Sequence, residues 1–252
     1  MGKLNKILLS VFTLTIVMLS VGAALAQSSA DLVAVALNHP DRSAEEAQAD
    51  ASRLPLEVLS FAGITAGMDV MELEAGDGWY TEIISRTVGP SGSVLMQNPE
   101  IIERFVGDAD DNRAARFDNV TLSTSDFDAL AADTDSMDLV TWILGPHELW
   151  FSPDGISHGD PQATFQEIAR VLKPGGRFLA IDHHAPIDSD TEAGGTLHRI
   201  REDLITGYAE AAGLSRVRRS TILQNSEDPL NVGVFDPSVR GQTSRFVVLY
   251  EK

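Results

Sequence analysis

The stretch Asp69-Val-Met-Glu-Leu-Glu-Ala-Gly-Asp-Gly-Trp-Tyr80 predicts a buried strand that ends in a glycine turn and leads directly into a helix. Gly76 and Gly78 allow a tight turn and a close approach of the backbone to a ligand. The helix that follows directs its free N–H groups towards the same point. The pattern therefore indicates a site for a nucleotide-type ligand at the carboxyl end of a strand.

A second block, residues 166–182, predicts a helix that is closed by Lys173-Pro-Gly-Gly176 and followed at once by an apolar strand. Helical and strand patterns alternate through most of the chain, which predicts a mostly parallel sheet with helices on both faces. The last two strands have no helix between them, so we expect an antiparallel hairpin at the C-terminal end. The predicted fold class is α/β, with a Rossmann-like, doubly wound, mostly parallel sheet of seven strands.

The predicted elements follow from hydrophobic periodicity and from turn residues. We expect strands at 70–73, 93–97, 120–122, 139–144, 178–182, 217–222 and 246–250, and helices at 80–88, 100–105, 164–172 and 199–212. After a short tether, a helical segment is expected at 43–63. Its first helix starts with a capping box at Ser43 and runs to about Arg53, and its second helix begins at Pro55 and ends at Gly63. Residues 225–242 are expected to form an ordered surface loop or lid.

The first residues have the pattern of a secretory signal peptide. Lys3 and Lys6 precede an apolar run, and Ala24-Leu-Ala26 supplies small residues at cleavage spacing. We therefore expect removal of residues 1–26 and a periplasmic or secreted protein in which 27–252 form one domain, with its core at 64–252. An uncleaved anchor is the other interpretation, but the run is short for a membrane span. The chain has no cysteine, so disulfides do not contribute to its stability.

The composition is strongly acidic, with 37 Asp and Glu against 19 Lys and Arg and a net charge of −18. Loss of residues 1–26 removes two lysines and no acid, which brings the net charge to about −20. A field of this sign repels phosphate backbones and anionic lipid surfaces. We therefore expect no nucleic-acid partner and no membrane insertion after signal cleavage.

The glycine turn and the Lys173-Pro-Gly-Gly176 block together resemble class I S-adenosylmethionine-dependent methyltransferases. A closer resemblance, to a group of exported bacterial methyltransferase-like proteins, rests on His39-Pro-Asp-Arg42, Gly78-Trp-Tyr-Thr-Glu82, Asp182-His183 and the closing segment 228–246. It covers nearly all of residues 27–252. It implies S-adenosylmethionine as the cofactor and a small-molecule or envelope acceptor as the partner, without identifying that acceptor.

The resemblance also implies a set of cofactor-binding residues along the edge of the sheet. The glycine turn would hold the methionine end of the donor, the second strand its ribose and the third strand its adenine. The residues concerned are Glu72, Glu74, Gly76, Asp77, Gly78, Asn98, Asp126 and Phe127. Two of them depart from the family pattern, which has glycine at 74 and an acid at 98. The Glu74 carboxylate either attracts the donor's cationic groups or repels its carboxylate, and Asn98 offers a weaker partner than an acid.

Polar residues lie at the predicted ends of the fourth and fifth strands, where doubly wound sheets bind ligands. His147 and His183 are the candidate general bases, since imidazole titrates near neutral pH. The alternative is that these histidines cap strands or face solvent. A divalent metal held by His147, Glu148 and residues 182–184 is a further alternative. Adjacent strand residues point to opposite faces, so we predict no metal site.

Three function classes are compatible with these patterns. The first is a methyltransferase that acts on a small molecule or an envelope component. The second is a non-catalytic binding protein that retains the fold, which the substitutions at Glu74 and Asn98 favour. The third is a nicotinamide-dependent oxidoreductase with the same glycine turn. The Lys173-Pro-Gly-Gly176 block and the hairpin ending favour the methyltransferase.

Overall fold

The computed structural model describes residues 27–252. The predicted signal peptide, residues 1–26, lies outside the described residues. Within the described range, no helix has both the length and the apolar character that crossing a bilayer requires.

Seven strands form one sheet in this part of the chain. They are β1 Asp69–Leu73, β2 Ser93–Asn98, β3 Val120–Thr124, β4 Met137–Ile143, β5 Leu172–His183, β6 Ser215–Ser220 and β7 Arg245–Glu251. The order across the sheet is β3-β2-β1-β4-β5-β7-β6. Only β7 is antiparallel to its neighbours β5 and β6 in this sheet, and the other pairs are parallel. The predicted fold class, including the C-terminal hairpin, is confirmed. The strand order reverses between β1 and β4, which is the switch point where such sheets bind ligands.

Nine α-helices surround the sheet in the described residues. They are α1 Ser29–Leu37, α2 Asp50–Arg53, α3 Pro55–Ala62, α4 Trp79–Val88, α5 Glu100–Val106, α6 Ala109–Ala114, α7 Pro161–Val171, α8 Glu192–Leu197 and α9 Glu202–Ala211. As predicted, α3 has Pro55 in its first turn and ends at Gly63, whose φ of 69° is left-handed.

The N-terminal segment differs from the prediction in two places. The tether expected before residue 43 contains α1, which is capped by a reciprocal capping box between Ser28 and Asp31. The helix expected to run to residue 53 is instead a short 3-10 helix at Glu46–Ala49 followed by α2. Leu54, the residue before Pro55, is left-handed, with φ of 45° and ψ of 53°, and its amide donates to the Asp50 carbonyl at the end of α2.

Both faces of the sheet are covered by apolar clusters. The side chains of β1 alternate between them: Val70 packs with residues of α1, α3 and α4, and Met71 packs with residues of α7 and α9. Trp142 and Phe165 are among the largest side chains that are fully buried. Because the faces are occupied, the carboxyl ends of β1, β2 and β4 are the part of the sheet that remains available for a ligand.

The long segment 225–242 is joined by a buried ion pair to Arg199, which lies between α8 and α9. The Arg199 guanidinium donates to both carboxylate oxygens of Asp228 at 2.9 Å, and neither side chain is exposed. Arg199 also donates to the carbonyl of Val232, and the Val234 amide donates to the carbonyl of Leu197. These contacts hold the segment over the end of α8, close to the switch point.

Candidate donor and acceptor site

The turn at residues 74–78 connects β1 to α4, and its two glycines have different tasks. Gly76 and Gly78 have φ of 60° and 78°, a region that favours glycine. A Cβ atom on Gly78 would lie 2.5 Å from Cγ of Arg113, whereas one on Gly76 would meet nothing within 4 Å. Gly78 is therefore required for packing, and Gly76 presents open space to a ligand. Among the described residues, no side chain caps the first N–H groups of α4.

Two cavities meet at this turn. The first, the turn cavity, measures about 210 Å³ and is lined by the turn itself together with Arg53, Tyr80 and Leu144. The second, the α5 cavity, measures about 340 Å³ and is lined mainly by apolar residues, namely Ile101, Ile102, Phe105, Val106, Phe151 and Phe235, with Glu148 and His198 at a polar end. Glu74 and Gly76 line both cavities. Together the cavities fall in the range of roughly 300–1,000 Å³ that small-molecule sites occupy.

Glu72 and Asp77 lie where the sequence places them, beside the turn cavity. The Glu72 side chain is buried and accepts a hydrogen bond from Thr81 Oγ1 at 2.5 Å. Burial raises the pKa of Glu72 to about 8, so this carboxyl is mostly protonated at neutral pH. The Asp77 carbonyl accepts a hydrogen bond from Nε of Arg113, which fixes the turn against α6.

Glu74 replaces the family glycine without blocking the turn. It adopts φ of 50°, and its carboxyl accepts a hydrogen bond from Trp142 Nε1 at 3.1 Å. The space for this carboxyl is provided by Gly145, where a Cβ atom would lie only 2.3 Å from Glu74 Oε2. Burial and the charge of Glu148 raise the pKa of Glu74 well above its ordinary range. A carboxyl that is easily neutralised thus lies between the two cavities.

Asn98 holds the glycine turn in place. It is buried, its Oδ1 accepts from the Gly76 amide at 2.9 Å, and its Nδ2 donates to the Gly76 carbonyl and to Asp110 Oδ2, both at 3.0 Å. Both amide protons are therefore engaged within the protein. The sequence identified Asn98 only as the end of the second strand and did not show these hydrogen bonds to the turn. They leave its side chain little capacity for ribose hydroxyls, and its role in ribose binding stays a prediction.

Asp126 and Phe127 line neither of the two cavities. The Asp126 side chain is 56% exposed, and its Oδ1 lies 4.0 Å from Nδ1 of His158. Phe127 is a core residue with its ring 4.6 Å from that of Trp142, and its amide donates to the carbonyl of His158. The structure does not bring these residues to the turn, and their contact with adenine stays a prediction.

His147 is placed by the 3-10 helix Pro146–Trp150 that follows β4. Its Nδ1 lies 2.9 Å from Oδ1 of the buried Asp182, and its Nε2 lies 3.0 Å from Glu148 Oε1 and 3.1 Å from His198 Nδ1. Burial by itself lowers the pKa of His147, but the two carboxylates outweigh it and raise the pKa to about 10. At neutral pH His147 is thus an imidazolium, which has no lone pair with which to accept a proton.

His183, the second predicted base, lines neither cavity. Its Nδ1 lies 2.7 Å from Thr243 Oγ1, and its ring centre is 6.3 Å from that of His147. Burial lowers the pKa of His183 well below its ordinary value, so this ring is neutral. Its role as a base stays a prediction.

The polar end of the α5 cavity is formed instead by Glu148 and His198. Burial by itself raises the pKa of Glu148, but hydrogen bonds with His147 and His198 outweigh it and lower the pKa to about 2. His198 ends α8 in a left-handed conformation, with φ of 53°, and packs against Phe151 and Phe235. Sequence reasoning missed His198, because no motif or spacing links it to residues 147–148.

A doubly wound sheet with a glycine turn and a cavity at its switch point defines an α/β protein that binds a nucleotide-type ligand. Residues 64–213 match the profile of the family described as "Methyltransferase domain", so the chain belongs to that family. Its fold is that of S-adenosylmethionine-dependent methyltransferases, whose cofactor is S-adenosylmethionine.

Curated relatives and solved structures agree with this assignment. The ubiquinone/menaquinone biosynthesis C-methyltransferase of Hahella chejuensis is 29% identical over 125 residues, which cover 50% of this chain and 47% of the relative. The chain thus spans about half the length of the curated relatives it matches. An S-adenosylmethionine-dependent methyltransferase from Aquifex aeolicus superposes with a TM-score of 0.57 at 20% identity, over 81% of this chain and 94% of that one. A second such methyltransferase, from Mesorhizobium loti, superposes with a TM-score of 0.54 at 19% identity, over 81% of this chain and 98% of that one. At such identities the likeness shows the fold alone.

Proposed function

We propose that this methyltransferase transfers the methyl group of S-adenosylmethionine to a small, largely apolar acceptor that carries a hydroxyl group and binds in the α5 cavity. The observation that supports this most directly is the composition of that cavity. Its walls are aliphatic and aromatic, its polar end contains Glu148 and His198, and it adjoins the turn at Gly76.

The turn cavity suits the amino-acid end of the donor. The guanidinium of Arg53 lines this cavity and stacks on the ring of Trp79 at 4.5 Å, where it would hold the donor's carboxylate. The open face of Gly76 and the first N–H groups of α4 would hold the adjoining part of the donor. Glu74 lies beside the donor's cationic groups in this arrangement and offers a carboxyl that ionises when a cation approaches.

The α5 cavity suits the acceptor because its rim is apolar and exposed. Phe105 and Phe235 line the cavity and are 71% and 63% exposed, which is unusual for large apolar side chains. The curated relatives are named for C-methylation in ubiquinone and menaquinone biosynthesis. Their names make phenols and hydroquinones with a short alkyl tail the first acceptors to test.

The donor, when bound, supplies an electrophilic methyl group with its own leaving group. The residues of the chain therefore contribute mainly alignment and exclusion of water. The apolar walls hold the acceptor ring, and the ionised Glu148 carboxylate accepts a hydrogen bond from the acceptor's hydroxyl group. That bond would turn the reacting ring carbon towards Gly76. The carbon–methyl bond forms as the sulfur–methyl bond of the donor breaks, S-adenosylhomocysteine leaves, and the proton displaced from the ring carbon passes to solvent.

The proposal is tested by measuring S-adenosylhomocysteine formation by mass spectrometry. The purified protein is incubated with S-adenosylmethionine and alkylated hydroquinones, or with their dimethyl ethers, which lack a hydroxyl proton. We expect turnover with the hydroquinones and none with the ethers. Phe235→Ser should raise the acceptor KM and leave S-adenosylmethionine affinity unchanged, because Phe235 lines only the α5 cavity of the two.

A matched control is Ile187→Ser, since Ile187 is 84% exposed but lies outside the α5 cavity. This variant should behave like the wild type. Donor binding without product for any hydroxylated aromatic would contradict the proposed acceptor class. It would support the second class considered above, a binding protein that retains the fold.

A further inference from the structure

Three polar side chains place one ligand-type atom each in a small triangle beside the α5 cavity, which Glu148 and His198 line. The Nε2 atom of His147 lies 3.0 Å from Oε1 of Glu148 and 3.1 Å from Nδ1 of His198. The remaining side of this triangle, from His198 Nδ1 to Glu148 Oε1, measures 3.5 Å. Two atoms bound to one ion at about 2.1 Å lie roughly 3.0 Å apart at a right angle and 3.4 Å apart at a tetrahedral angle. The triangle therefore has the size that one small metal ion requires.

The ring of His147 is oriented as the ring of a metal ligand usually is. Its other nitrogen, Nδ1, lies 2.9 and 3.0 Å from the two oxygens of Asp182, a carboxylate with no exposed surface. Asp182 is itself fixed by the amides of His147 and His183, both at 2.7 Å. Such an outer carboxylate orients the ring, so that Nε2 faces the ion, and it increases the basicity of the ligand. The proton that His147 carries on Nε2 in the metal-free protein would be released when the ion binds.

The other two ligands are positioned by separate elements. Glu148 follows His147 in the short helix after β4, and His198 is the residue after the end of α8. His198 is held between the rings of Phe151 and Phe235, at 4.7 and 5.0 Å between ring centres. The sequence-based alternative grouped His147 and Glu148 with residues 182–184. In the structure the third member of the cluster is His198, which follows α8, and neither His183 nor His184 belongs to it. The objection that adjacent strand histidines face opposite sides therefore does not apply.

We propose that His147, Glu148 and His198 form a binding site for a divalent transition metal, with zinc as the preferred ion. Two imidazoles and one carboxylate suit zinc, whereas magnesium and calcium prefer oxygen ligands alone. Three protein ligands leave one coordination position open, as in zinc sites that bind a substrate. Glu148 and His198 line the α5 cavity, so this position faces the acceptor space.

Binding of the metal ion does not depend on the proposed methyl transfer. The role of the ion in holding the acceptor does rest on that proposed function. A hydroxyl oxygen of the acceptor would occupy the open position and would be fixed next to the turn. The chemical class of the ligand is thus an oxygen donor on an apolar ring.

The test is calorimetric titration of chelator-treated full-length protein with ZnCl₂. We expect one zinc ion to bind per chain. Glu148→Gln and His198→Ala should each lower the zinc affinity by more than the roughly 10–100-fold that loss of a hydrogen-bond partner of a ligand costs. Asp182→Asn should fall within that 10–100-fold range. His39→Ala is the control, because His39 is a partly exposed histidine far from the cluster in the sequence and should leave binding unchanged.

Two further measurements make the result decisive. Circular dichroism confirms that each variant is folded, and the visible spectrum of the cobalt(II) form reports ligation by imidazole. Equal zinc affinity in the wild type and in His198→Ala would overturn the site, as would the absence of zinc binding by folded wild type or binding of Mg²⁺ alone. The same samples are titrated with S-adenosylmethionine, so that failure of the metal site is distinguished from failure of the methyltransferase function.

Discussion

Restoring the family acid at residue 98 is predicted to damage this protein. In Asn98→Asp the two amide protons that bond the Gly76 carbonyl and Asp110 Oδ2 are lost. Two buried hydrogen bonds contribute about 2–3 kcal/mol together. The new carboxylate would also lie about 3 Å from that of Asp110, and two charges at that distance repel by about 5 kcal/mol at an effective dielectric constant of 20.

Uptake of a proton by one carboxyl relieves part of this repulsion, so the cost depends on pH. We expect Asn98→Asp to lower the free energy of unfolding by at least about 3 kcal/mol at pH 8, and by less at pH 5. Urea denaturation followed by circular dichroism measures both values. S-adenosylmethionine affinity should fall as well, because the Gly76 peptide is no longer held.

Two variants isolate the causes. Asn119→Asp also loses two amide donations, to Ser85 and Gly89 carbonyls, but no carboxylate accepts from this amide. Its cost should be smaller and less dependent on pH. Asn98→Asp with Asp110→Asn restores one neutral donor and should recover part of the loss. Unchanged stability and tighter donor binding in Asn98→Asp would refute this explanation and support a ribose-binding role for residue 98.

Three further predictions follow from buried groups, and urea denaturation checks each. Asp228→Asn leaves Arg199 without its counter-charge, so stability should fall by about 3–5 kcal/mol. The pKa of the Glu72 carboxyl rises from its ordinary value of 4.5 to about 8 on folding, so folding takes up a proton between these pH values. The free energy of unfolding of the wild type therefore falls as the pH rises from 4.5 to 8, whereas that of Glu72→Gln does not show this fall. The variant should gain about 2–3 kcal/mol on the wild type between pH 6 and pH 9. Gly145→Ala should destabilise the protein and displace Glu74, because its Cβ atom would lie 2.3 Å from Oε2.

Each of these predictions has its own control and its own contradiction. Asp203→Asn breaks an exposed ion pair with Arg201 and should leave the urea midpoint unchanged. If Asp228→Asn changes the midpoint no more than Asp203→Asn does, burial does not determine the cost of losing the ion pair. Parallel pH profiles for Glu72→Gln and wild type would show that Glu72 is ionised. For Gly145→Ala, unaltered Trp142 fluorescence would show that Glu74 has not moved.

The sequence predicted the sheet well because the residues that mark each strand lie within that strand or directly beside it. Alternating apolar runs locate the strands, and Pro55 and Gly63 bound α3 as expected. Strand β5 begins at Leu172, well before the apolar run at 178. Leu172 pairs with Met137 and Arg177 pairs with Leu139, and Lys173-Pro-Gly-Gly176 forms the irregular segment between these two pairs, with Gly175 in a left-handed conformation. The helix α1 was missed because the segment was interpreted as a tether after a cleaved leader.

The site was predicted only in part, since its contacts are not local. The glycine turn and the position of Glu74 follow from the motif, but the space that accommodates the Glu74 carboxyl comes from Gly145, 71 positions later. Asn98 looked like a weakened ribose ligand because the sequence does not show that Asp110 accepts its amide proton. His198 reaches Glu148 only because α8 folds back over the end of β4.

Binding of the donor at the glycine turn is tested most directly by calorimetric titration of the wild type, Gly76→Val and Gly175→Val with S-adenosylmethionine. Both glycines have left-handed φ and open space at the Cβ position, so the two substitutions impose similar backbone strain, but only Gly76 lines the two cavities. We predict binding by the wild type and by Gly175→Val, and none by folded Gly76→Val. Equal binding by Gly76→Val, or no binding by folded wild type, would contradict the placement of the donor at this turn.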